Sequence, residues 1–161
     1  AASLAAFGYF WQAALAMLLA GIFDLLDGAV ARSTNRTSDF GAILDAVCDR
    51  LADFAVLIAL LVWFTGNEPF NREVLILIGV TISGSMLVPY TRSKAGEFGI
   101  QIREGLGTRF ERIIILAIGM FANEIVAALW ILAILTNFTV LHRLGLTWWA
   151  LRGKTATKPE N

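Results

Sequence analysis

Four aspartates, Asp24, Asp27, Asp45 and Asp49, stand among residues that otherwise read as membrane helix. A carboxylate in hydrocarbon is costly, so four of them require compensation, by metal ions or by a functional polar cavity. Asp24 and Asp27 are three residues apart and Asp45 and Asp49 four apart, so each pair faces one way on a helix. The polar segment 33–39 turns the chain and can bring the two pairs together. At close range the four would repel one another unless cations sat between them. All-oxygen, all-acidic ligation favours hard cations, Mg²⁺ or Mn²⁺, and one or two would fit; Zn²⁺ more commonly recruits Cys or His. Such ions act most effectively on phosphates, so a phosphate ester or diphosphate is the expected substrate.

Gly28, Ala31 and Gly41 contribute an absence of side chain next to those carboxylates. Small residues there let a ligand approach backbone, although close helix packing is the ordinary explanation for any one of them alone. Together with Arg32 and the flanking aspartates they favour a ligand.

The elements that must hold these residues are legible in composition. Of 161 residues, 57% are hydrophobic and only 16% charged, and the mean hydropathy is +0.68, too apolar for a soluble domain whose surface must carry charge. The apolar residues fall in blocks at 4–26, 40–64, 74–90, 110–122 and 125–141, each too long and continuous for a buried strand. An all-α transmembrane bundle with five helices present is expected. The fourth block is short for a span, so its start at Arg109 and Arg112 is its least defined boundary. Gly66, Asn67, Pro69, Gly96, Gly99 and the Asn123-Glu124 pair punctuate the rest.

Basic residues set the orientation. With the segments around Arg32 and Arg36, Arg92 and Lys94, residues 103–112 and residues 143–158 in the cytoplasm, only Arg72 of the thirteen Lys and Arg residues lies outside, with Arg50 near the inner interface. Five helices then start outside and end inside, so a preceding helix is expected to be missing, the chain being one transmembrane domain over 1–161 with a short cytoplasmic tail at 152–161. Cys48 has no second cysteine to pair with and is expected as a small buried side chain. His142 is expected as a polar cap or interface residue. Four residues past Asp49, Asp53 continues the same face and is read as half of a structural ion pair; Asp39 is read as solvated or capping. Most of the five Trp residues lie near proposed interfaces.

The pattern Asp24, Asp27-Gly28, Ala31-Arg32, Gly41, Asp45, Asp49, with eight residues between Arg32 and Gly41, resembles the signature of the CDP-alcohol phosphatidyltransferase family without a mismatch. The resemblance implies a membrane enzyme, usually of six transmembrane helices and often a homodimer, that transfers a phosphatidyl group from CDP-diacylglycerol to an alcohol and releases CMP. It implies divalent metal on Asp24, Asp27, Asp45 and Asp49, with Asp49 also the general base, and cytidine diphosphate at Gly28, Ala31, Arg32 and Gly41. It further implies a bacterial inner membrane location with the site facing the cytoplasm; membrane lipids are expected partners and nucleic acid is not.

Basic helix ends bear on the acceptor. Arg92, Lys94, Arg109, Arg112 and Arg143 all lie on the side of the aspartates, and converging cations suggest an acceptor carrying its own phosphate; lipid headgroup contact is the ordinary alternative. The segments at 90–95 and 109–112 are similar to those of actinobacterial phosphatidylinositol phosphate synthases, in which matching residues bind the phosphate of inositol 1-phosphate. Arg92 and Lys94 reverse the usual order of Lys and Arg, Thr108 and Phe110 replace Glu and Pro, and Pro89 stands where Ser is common. Glycerol 3-phosphate, in a phosphatidylglycerophosphate synthase, is the rival acceptor. Outside the family, a divalent-metal transporter would not require the glycine and arginine framework, a noncatalytic scaffold would tolerate Asn at its carboxylates, and a prenyl transferase would space its acids differently.

Overall fold

The computed structural model describes residues 1–33, 38–67, 71–101 and 108–156, with side chains 24, 25, 27–33 and 153–156 left aside. The described residues form six helices: α1 (Ala2–Ala6), α2 (Phe10–Ser33), α3 (Asp39–Gly66), α4 (Arg72–Glu97), α5 (Arg109–Phe121) and α6 (Ile125–Ala156). No strand occurs among the described residues. The block expected over 4–26 is divided by Gly8, whose φ of +80° is open to glycine at little cost. A Cβ at Gly8 would lie 2.3 Å from the Trp63 ring, and that ring stacks edge-on against Phe10 at 5.4 Å. Trp63 thus serves as packing between α1, α2 and α3.

Local sequence explains where the other helices begin and end. Ser38 caps α3 by accepting from Gly41 N at 3.0 Å, and Asn71 caps α4 by accepting from Glu73 N at 3.0 Å. Helix α5 opens with a capping box: Thr108 accepts from Glu111 N while Glu111 accepts from Thr108 N at 2.8 Å. It ends in a tight turn to α6 through Asn123, at φ +57°, a conformation that Asn tolerates better than most residues. Helix α6 continues past the expected end at 141 to Ala156, so the segment expected as a tail from residue 152 begins as helix.

Leu60, Ile78, Met120 and Leu129 are among the largest fully buried side chains of the core. Helix α4 packs on α6, α2 on α5, α5 on α6, and α3 on both α1 and α4. Helices α2 and α3, although consecutive, keep their backbones apart and meet through side chains such as Phe10 and Trp63. Two helices, Arg72–Glu97 and Ile125–Arg152, are long and apolar enough to cross a membrane. Helix α5, at 13 residues, reaches only about 20 Å. Ile22, Ile58, Val62, Ile76, Ile118 and Ile134 point outward and are exposed, which suits a lipid-facing surface rather than an aqueous one.

Close approach at two glycines holds the bundle together. A Cβ at Gly119 would fall 2.3 Å from Ala128 Cβ, and one at Gly84 would fall 2.3 Å from Thr136 Oγ1. Gly119→Ala is therefore expected to destabilise the protein by about 1–3 kcal/mol through overpacking at the α5–α6 turn. A lowered thermal midpoint in detergent checks this; an unchanged midpoint would show that the turn relaxes freely.

Candidate active site

Helix α2 ends and α3 begins at the same end of the bundle, because only a short connection joins Ser33 to Asp39. Asp24 and Asp27 lie in the last three turns or so of α2, and Asp45 and Asp49 in the first three turns or so of α3. The two acidic pairs thus occupy similar depths on helices that run in opposite directions. The side chains of Asp24, Asp27, Ala31 and Arg32, and the surroundings of Gly28, lie outside the described residues. On α3, Asp45 is exposed and Asp49 and Asp53 are partly buried, spaced so that all three follow one face. Gly41 is exposed, and a Cβ there would meet Ser38 Oγ at 2.9 Å, so the capping hydroxyl itself uses the space that glycine leaves.

The capping box at Thr108 places Arg109 and Arg112 at the first turn of α5, opposite that acidic face. Arg109 Nη1 lies 2.5 Å from Asp49 Oδ1, and Arg109 Nε lies 3.5 Å from Asp53 Oδ1. Arg112 Nη2 donates to Asp53 Oδ2 at 2.8 Å and Arg112 Nη1 to the Ser85 carbonyl at 3.4 Å. These are charge-assisted contacts between partly buried groups, stronger than their counterparts in water. Asp53 is thus the ion-pair partner that its position past Asp49 suggested, and it joins both arginines of α5 to α3.

Arg143, in α6, is buried, with 7% exposure, and its Nη1 donates to the Val88 carbonyl of α4 at 2.6 Å. Arg112 and Arg143 thus reach carbonyls three residues apart on α4, at Ser85 and Val88, and Arg92 lies one turn further along that helix, so α4, α5 and α6 each bring a guanidinium toward one end of the bundle. No carboxylate forms an ion pair with Arg143 among the described residues. The buried Nε of Arg112 and that of Arg143 find no hydrogen-bond partner among the described residues. Buried donors of this kind are costly when unmet, and an anion entering the cluster would meet them. Lys94 stands apart: it is exposed and paired with Glu97 at 3.0 Å within the last turn of α4.

A cavity of about 260 Å³ opens between α2, α3, α4 and α5. Its wall is apolar except where Asp53, Arg109, Arg112, Thr81 and Ser85 enter it. The Thr81 hydroxyl is buried there with no partner among the described residues.

One expectation is corrected: Cys48 is exposed, not buried, because the N-terminal half of α3 turns that face away from the core. Two features escaped the sequence reading. The capping box was present as Thr108-x-x-Glu111, a recognised helix-start signature. Pro89, inside α4, stood out only as a departure from the usual residue.

Comparison with known proteins bears on the arrangement. The profile of the CDP-alcohol phosphatidyltransferase family matches residues 1–151. A phosphatidylinositol phosphate synthase from Mycobacteroides abscessus is 33% identical over 144 residues, covering 85% of this chain and 65% of its own length. An archaetidylinositol phosphate synthase from Methanothermobacter thermautotrophicus is 35% identical over 140 residues, covering 82% of this chain and 67% of its own. The chain therefore spans about two thirds of the length of these relatives. The phosphatidylinositol phosphate synthase of Mycobacterium tuberculosis, solved with manganese and citrate, superposes with a TM-score of 0.81 at 30% identity over 91% of this chain and 74% of that one. Its complex with CDP-DAG gives the same TM-score, over 91% and 77%.

Proposed function

The chain belongs to the CDP-alcohol phosphatidyltransferase family, an all-α family of membrane proteins, and on that premise we propose that it transfers a phosphatidyl group from CDP-diacylglycerol to inositol 1-phosphate, forming phosphatidylinositol phosphate and releasing CMP. The observation that carries the acceptor is the approach of Arg112 and Arg143 to the Ser85 and Val88 carbonyls of α4, one turn before Arg92 on that helix, with buried donors in Arg112 and Arg143 that find no partner among the described residues. Similarity to synthases from Mycobacteroides abscessus and Methanothermobacter thermautotrophicus supports the same acceptor.

In this reading Asp49 accepts the proton of the acceptor hydroxyl, whose oxygen forms a bond to the lipid-bearing phosphorus while the bond to CMP breaks. Gly28, Ala31, Arg32 and Gly41 bind the cytidine diphosphate. Arg112 and Arg143, with Arg92, hold the acceptor phosphate; Arg109 lies between this cluster and Asp49, and Lys94 reaches the ligand only by giving up Glu97. The donor set of Asp24, Asp27, Asp45 and Asp49 fits Mg²⁺ or Mn²⁺, since it is all carboxylate and Asp45 and Asp49 share a helix face. A divalent cation bound there would offset the negative charge of the diphosphate and of the departing CMP. The manganese complex of the Mycobacterium tuberculosis enzyme supports that choice. Residues 1–161 act as one transmembrane domain ending in a short cytoplasmic tail at 152–161, as a homodimer in a bacterial inner membrane, with the site facing the cytoplasm.

The test is CMP release by purified protein in lipid nanodiscs. Release is expected with CDP-diacylglycerol, inositol 1-phosphate and Mn²⁺ or Mg²⁺ together; a chelator is expected to bring the rate to background and added metal to restore it. Equal turnover of unphosphorylated inositol would remove the acceptor assignment, and metal flux without CMP release would remove the transferase.

A further inference from the structure

In an α-helix each carbonyl accepts from the N–H four residues on. Pro89, inside α4, has no N–H, so the Ser85 carbonyl loses its helical donor, and the proline ring crowds that same carbonyl. The turn before a proline is where a helix bends and its hydrogen-bond ladder opens. Among the described residues, the two carbonyls of α4 that receive an arginine from another helix lie in this turn. The Ser85 carbonyl accepts from Arg112 Nη1 at 3.4 Å, and the Val88 carbonyl accepts from Arg143 Nη1 at 2.6 Å and from Thr91 Oγ1 at 3.0 Å.

We infer that Pro89 is a positioning residue: by withdrawing one N–H from α4 it leaves the Ser85 carbonyl as a backbone seat for Arg112, beside the Val88 carbonyl that takes Arg143, and so fixes where the remaining N–H groups of Arg112 meet an anionic acceptor. The inference rests on the proposed acceptor site but not on turnover. Each guanidinium is held along one edge, Arg112 by Ser85 and Asp53 and Arg143 by Val88. The Nε of each remains buried without a partner among the described residues. Like charges crowd this region, since Arg112 and Arg143 reach carbonyls only three residues apart on α4, and side chains under mutual repulsion would turn apart unless neutral acceptors held them. Carbonyls do this without adding negative charge, which would weaken the attraction for phosphate.

Pro89→Ala, and Pro89→Ser as a second variant, return the missing N–H. Because alanine is the better helix former, the fold is expected to melt at the same temperature or higher, while the dissociation constant for inositol 1-phosphate, read by calorimetry on the full chain in detergent, rises about tenfold, the order of one hydrogen bond to a charged group. CDP-diacylglycerol binding is expected to stay as it was. In the Pro89→Ala background, Arg112→Ala is expected to cost less affinity than in the parent chain. Unchanged affinity for inositol 1-phosphate in the folded variants, or equal loss of affinity for both ligands, would overturn the inference. Phosphate binding that depends on Pro89 in a chain that releases no CMP would leave the inference standing and remove the transferase; full turnover with an unaltered KM in Pro89→Ala would do the reverse.

Discussion

Asp49→Asn is expected to lower kcat for CMP release by about 10²–10⁴-fold, the range of a positioned general base. The amide matches the carboxylate in shape and its oxygen still accepts from Arg109, whose Nη1 lies 2.5 Å from Asp49 Oδ1, so the packing of α5 on α3 is retained. What the amide lacks is the ability to take a proton from the acceptor hydroxyl. Asp49 also belongs to the proposed metal set, so the variant is to be assayed across a Mn²⁺ titration. Loss of kcat that persists at saturating Mn²⁺, with an unaltered thermal midpoint, identifies the base. Full recovery by excess metal would reduce Asp49 to a ligand, and wild-type kcat throughout would exclude both roles.

Arg143→Ala is expected to raise KM for inositol 1-phosphate by roughly 10–100-fold while leaving KM for CDP-diacylglycerol near its original value, the worth of a charged hydrogen bond in a partly dry site. At 7% exposure, Arg143 is nearly out of solvent, so the charge it offers a phosphate is little screened. Its removal also takes one side-chain donor from the Val88 carbonyl, which keeps that of Thr91 Oγ1. Arg143→Lys separates packing from recognition, since lysine keeps the charge and loses the fork; it is expected to recover part of the affinity. A parallel Arg112→Ala is expected to act in the same direction with an added loss of stability, because Asp53 then keeps only Arg109, at 3.5 Å. Equal increases in both KM values would point to collapse of the bundle end rather than to an acceptor site.

The Asp49, Asp53, Arg109 and Arg112 network also gives physical content to the spacing of the chain. On α3 the acids recur every four residues, and on α5 the arginines are three apart; both intervals keep side chains on one helix face. Packed together, the two faces neutralise each other at the mouth of an otherwise apolar cavity. Charges this close to the membrane interior need such partners.

Local chemistry wrote much of this protein directly. Apolar runs longer than any buried strand dictated helices, and their breaks at Asn67 and Asn123 followed from capping and turn preferences that need no distant contact. The acidic and small residues at 24–49 carried the resemblance to the family through their types and spacing together, and the family profile matches the chain over residues 1–151. Even the start of α5, the weakest boundary, was encoded locally in Thr108 and Glu111. Tertiary structure decided the rest. That Asp53 takes Arg112 across 59 residues of sequence, that Arg143 turns inward to a carbonyl of α4 while Lys94 remains at the surface with Glu97, and that Cys48 faces outward are outcomes of which helices pack together. Periodicity assigns a residue to a face of its own helix; only the neighbour against that face determines whether a charge meets solvent, a carboxylate or a backbone oxygen freed by a proline.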